Sequence, residues 1–399
     1  MPPDDQMDLT EDSRDPLPQV IRDDWLPAET ESVLFLFQQF RRYPPFPSHY
    51  ILPSNIQSVL HQDVIHGFDY QSLLRIRPPA LPSVSKAYQD AIKNSKFPIH
   101  SVTLIPCDGN SITVPAWIFL YWTEIERVVH TRRRWKVVLT WISNYFTSPP
   151  ATQLCHRLLL GLSSLSWSYG VAYTSDITPL FSNSSTESWL TSFHIDHANA
   201  LTKAQYQELH GPDATNHHIF ATVDHFNAII RFYGNIHAKK EGYLWDMLKG
   251  VENRVVVGEV DSLGGAMHLP SHWVSVVINF QQQQILYGDS LGNQIPDREH
   301  RALKRWIKHL VNRSTIFSTH DMITLDKLPT GYQDDSASCG LFALNAIAHH
   351  YLQHPLLPSD PIMLVCYRME IGLNIISSMT VCLFHIQYKV LSLSEYYRL

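Results

Sequence analysis

The chain lacks several groups that would point to common chemistries, and each shortage narrows what it can do. Five cysteines (Cys107, Cys155, Cys339, Cys366 and Cys382) occur in 399 residues and none forms a Cys-x-x-Cys, which argues against both a disulfide framework and a cysteine-rich zinc site. Histidines number 22, yet no His-Glu-x-x-His is present. The nearest approaches to a metal motif are His194-Ile195-Asp196-His197 and the pairs His217-His218 and His349-His350, and no metal is expected from them. Gly264-Gly265 lacks the lysine and the spacing of a phosphate-binding loop, so no cofactor is expected either. The longest apolar stretches, 158–173 and 371–386, are interrupted by serines or by Asn374 and His385 and fall short of a membrane span. Positive charge is also in deficit: 31 Lys and Arg against 37 Asp and Glu give a net charge of −6, which argues against nucleic-acid binding as the main activity.

What is present describes a globular protein with a real core, because 44% of the residues are hydrophobic. Residues 1–24 are acidic, carry prolines and have no apolar run, so they read as a disordered tail and as neither a signal nor a transit peptide. The expected location is therefore intracellular, nucleus or cytoplasm, and not secreted. There the cysteines stay reduced, as a thiol enzyme needs.

Residues 25–175 read as an accessory region of mostly helical character. Helical pieces are expected at 31–43 and 56–74 around a proline-rich loop at 44–53. A hairpin is expected from the strands 101–107 and 111–115, turning at Asp108-Gly109. Two helices follow, 117–129 and 135–146, with Pro149-Pro150 as a hinge. Arg132-Arg133-Arg134-Trp135-Lys136 reads as the solvated junction of those two helices, and it is where contact with nucleic acid or a nuclear import signal would sit.

Chemistry concentrates further along. Gln333-Asp334-Asp335-Ser336-Ala337-Ser338-Cys339-Gly340 places a thiol at the start of a helix that Leu341, Leu344, Ala348 and Leu352 extend to about residue 352. A helix N-terminus favours the thiolate, the form that attacks. Upstream, 272–280 alternates as a strand and 285–290 reads as its return, with Gln281 to Gln284 as the turn region. A turn centred between Phe280 and Gln281 sets His272 opposite Asp289, with Val274 facing Tyr287 and Val276 facing Ile285 on the same side. Cys339, His272 and Asp289 then supply a nucleophile, a base and a group that orients the base.

On His272-Trp273, Asp289-Ser290, and Gln333 followed by Ser338-Cys339-Gly340, the chain resembles the ubiquitin-like-protein-specific cysteine proteases, or SUMO proteases. The resemblance covers roughly residues 176–377 and leaves 378–399 as a C-terminal extension. It implies an α+β cysteine-protease fold with a mixed or antiparallel central sheet and the nucleophile at a helix N-terminus. By the same resemblance Gln333 donates its side-chain amide to the oxyanion, assisted by the Cys339 N–H. Ser188-Trp189-Leu190 is similar to the family's Trp-Leu element, so that Trp189 and Trp273 would flank a narrow tunnel for a Gly-Gly tail. Tyr367-Arg368-Met369 is similar to its closing helix. The chain departs from the pattern at Thr191-Ser192, where the family carries Asn-Asp, and at Ser338, where it commonly carries Asp. The implied activity is cleavage after the terminal Gly-Gly of a ubiquitin-like, SUMO-like modifier, with that modifier and its conjugates as partners and no membrane. The alternatives are an acyltransferase using the same three residues and a non-catalytic modifier-binding module.

Overall fold

The structure is a computed structural model, and it describes residues 26–28, 30–39, 60–61, 99–104, 112–167, 178–181, 189–235, 237–314, 316–317 and 323–377. The acidic tail 1–24, the proline-rich loop 44–53, the Asp108-Gly109 turn, Ser188 and the extension 378–399 lie outside the described residues. The chain divides into two compact units, 1–135 with 166–172, and 136–165 with 173–399.

In the first unit a short helix, α1 (Val33–Gln39), precedes a three-stranded antiparallel sheet of β1 (Leu60–His61), β2 (Ser101–Leu104) and β3 (Ile112–Pro115). The hairpin expected at 101–115 is thus present, whereas β1 falls inside the stretch expected to be helical at 56–74. The two expected helices are one, α2 (Ile118–Asn144), of which residues 136–144 belong to the second unit. Arg132, Arg133 and Arg134 are good helix formers and no Gly or Pro interrupts them, so the basic cluster lies within a helix and not at a junction. The Trp167 indole donates to the Ala28 carbonyl at 2.7 Å while the Arg127 guanidinium lies 5.0 Å from its ring centre.

The second unit is α+β. After α3 (Pro149–Ser164), whose first positions are occupied by Pro149 and Pro150 where a missing N–H leaves no bond unmade, come α4 (Ser192–His210) and a five-stranded mixed sheet. Its strands in spatial order are β4 (His218–Phe220), β5 (Ser262–Leu269), β6 (His272–Asn279), β7 (Gln284–Gly288) and β8 (Thr324–Lys327). The outer pairs β4–β5 and β7–β8 are parallel and the inner pairs antiparallel.

Alternation along β6 divides the core between the two faces of the sheet. Val274, Val276 and Ile278 pack in one cluster with Phe226 of α5 (Val223–Gly234), Val255 of α6 (Tyr243–Val256) and Trp306 of α7 (Asp297–Arg313). Val277 packs on the other side with Ile347, Ala348 and Tyr351 of α8 (Cys339–Leu352). A final helix spans residues 361–377. Among the described residues no helix is long and apolar enough to cross a membrane.

Two details correct the reading of the sequence. The β6–β7 pairs are Val276 with Tyr287 and Ile278 with Ile285, two residues away from the expected register. Phe280 leaves the strand for the core, where it is 1% exposed, and Gln283 takes a left-handed conformation (φ 52°), so the connection runs over 280–283. A slip of two keeps every side chain on its face, whereas a slip of one would have sent His272 and Asp289 to opposite sides. Gly264-Gly265, considered above only as a phosphate loop, belongs to the inner strand β5. A Cβ on Gly264 would lie 2.6 Å from the Tyr351 hydroxyl, and one on Gly265 would lie 2.6 Å from the Ala221 carbonyl oxygen. Both glycines are there because another group comes too close for a side chain.

Replacing Gly265 by alanine should therefore cost about 1–3 kcal/mol by overpacking. Denaturant unfolding reads this directly, and an unchanged midpoint would contradict the close approach.

Candidate active site

The site is assembled where β6 begins, where β7 ends and where α8 starts. Leu269 pairs with His272, so Pro270 and Ser271 alone turn the chain between β5 and β6. Proline presets the first turn position and Ser271 accepts a positive φ of 55° at the second, the order a type II turn requires. That tight connection makes His272 the first residue of its strand and places it on the Val274–Val276 side.

Asp289 follows the last residue of β7, on the side of Ile285 and Tyr287. Its Oδ1 accepts from His272 Nε2 at 2.8 Å and from the Leu291 N–H at 2.8 Å, and its Oδ2 accepts from the Tyr287 hydroxyl at 3.4 Å. Burial works to raise the Asp289 carboxyl, but the hydrogen bonds from His272 and Leu291 outweigh it and hold the group below the usual carboxylate range. Its negative charge is thus kept beneath the imidazole.

Cys339 is the first residue of α8, with Ser338 as its N-cap. The packing behind it is close: a Cβ on Gly340 would lie 3.1 Å from Leu190. The Cys339 sulfur acts on His272 as well as Asp289 does, favouring the charged imidazole. Because Nε2 is taken by Asp289, Nδ1 is the nitrogen that remains for the sulfur. The Asp289 hydrogen bond first and the Cys339 sulfur second overcome desolvation and push His272 up to about 9. The imidazole is a cation at neutral pH, held between a carboxylate and a sulfur. Cys339 itself is 1% exposed, so any approach to the sulfur is narrow.

Gln333 is buried and is tied to this row through the residue after Asp289. Its backbone N–H donates to the Ser290 carbonyl at 2.9 Å, and its Oε1 accepts from the Ser290 hydroxyl at 2.9 Å. Its amide nitrogen donates to the Asp335 carbonyl oxygen at 2.7 Å and to Asp335 Oδ1 at 3.1 Å. Turning the amide over would set oxygen against oxygen at Asp335, so the donor pattern is fixed by its neighbours.

The two tryptophans meet through Leu190. Trp273 is buried and its indole N–H donates to the Leu190 carbonyl at 2.9 Å, while its neighbour Trp189 is 36% exposed. The His268 ring lies 4.6 Å from Trp273 on the adjoining strand.

Sequence reasoning passed over Asp335, whose carboxylate gathers the loop before Cys339. The signal available was an acid three residues before a helix-starting serine, the spacing at which a side chain caps backbone N–H groups. The histidines considered for a metal have other partners. His194 Nδ1 accepts the Thr191 N–H at 3.0 Å and helps cap α4, Asp196 accepts the Val223 N–H at 2.8 Å, and His218 Nδ1 meets the Ser262 hydroxyl at 2.9 Å. Among the described residues, no group of three or more His, Cys, Asp or Glu is placed to hold a metal ion.

Residues 188–366 match the family model described as the Ulp1 protease family, C-terminal catalytic domain. No curated protein matches the chain. Among solved structures, the C-terminal Ulp1 protease domain in complex with Smt3, the yeast ortholog of SUMO, is 17% identical, covers 52% of this chain and 83% of that one, and superposes with a TM-score of 0.37. A de-sumoylating protease is 14% identical over 56% of this chain and 91% of that one, with a TM-score of 0.39. ChlaDub1 from Chlamydia trachomatis is 15% identical over 46% and 88%, with a TM-score of 0.26. Likenesses this distant carry no argument, and the assignment rests on the family match. The cysteine, the histidine and the aspartate all fall inside the matched segment, and residues 188–366 form a domain of the Ulp1 protease family, a cysteine protease domain.

Proposed function

We propose that this chain hydrolyses the bond following the C-terminal Gly-Gly of a ubiquitin-like modifier of the SUMO type, acting on the modifier and its conjugates. The observation that carries the reading is the imidazole of His272, hydrogen-bonded to Asp289 at 2.8 Å and favoured in its charged form by that carboxylate and by the Cys339 sulfur. Cys339 Sγ, as thiolate, attacks the carbonyl carbon of the terminal glycine. The tetrahedral intermediate then expels the amine, which takes the proton held by His272, and a thioester remains. Water attacks the thioester, giving a proton to the imidazole, and the modifier leaves with a free carboxylate as the thiol is restored. Asp289 keeps the ring oriented and favours its charged form throughout.

The developing oxyanion would take the Cys339 backbone N–H and one N–H of the Gln333 amide. That amide nitrogen donates to the Asp335 carbonyl at 2.7 Å and, over a longer contact of 3.1 Å, to a carboxylate that already accepts from other groups. The longer contact is the one an oxyanion would compete with. The depth of Cys339 supports a glycine tail as substrate, because a chain without side chains can thread where a larger one is excluded, with Trp189 and Trp273 as the walls.

A panel of modifiers carrying C-terminal coumarin amides tests the reading. Dye should be released from a SUMO-type modifier and lost in Cys339→Ala, and replacing the penultimate glycine of the modifier by valine should lower kcat/KM by about tenfold or more, through loss of fit. Release undiminished in Cys339→Ala would sink the proposal.

The raised His272 value gives a second test. The imidazolium is present below about pH 9 and is lost as pH rises through it, so the alkaline limb of kcat/KM should lie near there. Asp289→Asn removes the leading cause and should move that limb down by about one pH unit or more. An alkaline limb indifferent to this substitution would contradict the assigned role of Asp289.

A further inference from the structure

A single carboxylate organises the loop that carries both Gln333 and Cys339. Asp335 Oδ1 accepts from the Ala337 N–H at 2.8 Å, from the Ser338 N–H at 2.7 Å and from the Gln333 amide at 3.1 Å, while Oδ2 accepts from the Ser338 hydroxyl at 2.5 Å. The Asp335 carbonyl also accepts from the Gln333 amide nitrogen at 2.7 Å. These bonds span the last turn before α8, and the residue that caps the helix, Ser338, is gripped through both its backbone and its side chain. Gln333, Asp335 and Ser338 together fix where the first N–H groups of α8 and the free edge of the Gln333 amide point.

The surroundings keep this carboxylate charged. Burial works to raise it, but the Ser338 hydroxyl, the two N–H groups and the Gln333 amide outweigh burial and hold it low. Arg368, in the helix 361–377, is 2% exposed. Burial works against the guanidinium and lowers it to about 10, while attraction to Asp335 and Cys339 opposes the fall.

We propose that Asp335 is a positioning residue of the proposed hydrolase: it sets the Gln333 amide and the N-terminal turn of α8 so that both donors converge on the substrate carbonyl oxygen beside Cys339. It touches neither the sulfur nor the imidazole through any of these bonds, and it acts through Gln333 and Ser338. The inference rests on the function proposed above. Its distinctive consequence is that Asp335 and Gln333 form one unit, so their losses do not add.

The test is the hydrolysis of a SUMO–coumarin amide by the full chain and by Asp335→Asn, Gln333→Ala, the double variant, Ser338→Ala and Cys339→Ala. Asparagine keeps an oxygen for the two N–H groups but loses the charge. Asp335→Asn should lower kcat by about 10- to 100-fold through misplaced donors, with KM within about threefold. The double variant should be no slower than the worse single one by more than about twofold. Ser338→Ala, which removes one bond and no charge, should lose about two- to fivefold in kcat, and it decides the matter should Asp335→Asn fail to fold. An unchanged kcat in Asp335→Asn or Ser338→Ala, or losses in the double variant that multiply, overturns the positioning role. A wild-type chain that releases no dye, or a Cys339→Ala variant that still does, overturns the hydrolase reading instead.

Discussion

The bond of 2.8 Å between His272 Nε2 and Asp289 Oδ1 is the constraint on which the site depends. It occupies one ring nitrogen and leaves the other for the Cys339 sulfur, and it supplies the negative charge that makes an imidazolium stable in a half-buried position. The bond exists because β6 starts after a turn that places His272 at its first position, and because β7 ends where the chain passes tightly over Ser275. A Cβ on Gly288 would lie 2.5 Å from the Ser275 hydroxyl, so the residue before Asp289 has no room for a side chain. Hairpin geometry, and not proximity in sequence, sets the pair.

From that bond the order of the site runs outward along the chain. Asp289 is followed by Ser290, which bonds Gln333 with both its carbonyl and its hydroxyl, and Gln333 bonds Asp335, which bonds Ser338 just before Cys339. The thiol is thus bounded on one side by the imidazole and on the other by a closed sequence of hydrogen bonds leading back to the same strand end. Underneath, Val277 of the sheet packs with Ile347, Ala348 and Tyr351 of α8, which fixes the helix whose first residue is the cysteine. The apolar packing sets coarse position, and directional bonds set the last few tenths of an ångström.

Much of this was legible from the residues, and the failures have physical reasons. The alternation of 272–280 and 285–290 fixed which side chains share a face, because parity survives an error of two; it could not fix the register, which depends on Phe280 turning into the core and on the left-handed Gln283. Helical spacing found α8 to within a residue, since a buried helix carries a long run of consistent signals. The strand containing Gly264-Gly265 was missed because its glycines answer to Tyr351 and to Ala221, contacts distant in sequence. The division of α2 into two helices came from reading a charged run as an end, although arginine is a good helix former and no breaker was there. Asp335 escaped notice because an acid in a polar loop reads as solvated, and only the fold turns it inward.

The most direct test of the account is the ionisation of His272 itself, followed by nitrogen-15 NMR of the imidazole in the intact chain from pH 5 to pH 10. The account predicts a ring protonated on both nitrogens through neutral pH that loses its proton at about 9. A ring that titrates near the ordinary value of 6.5, with Asp289 and Cys339 both in place, would contradict it.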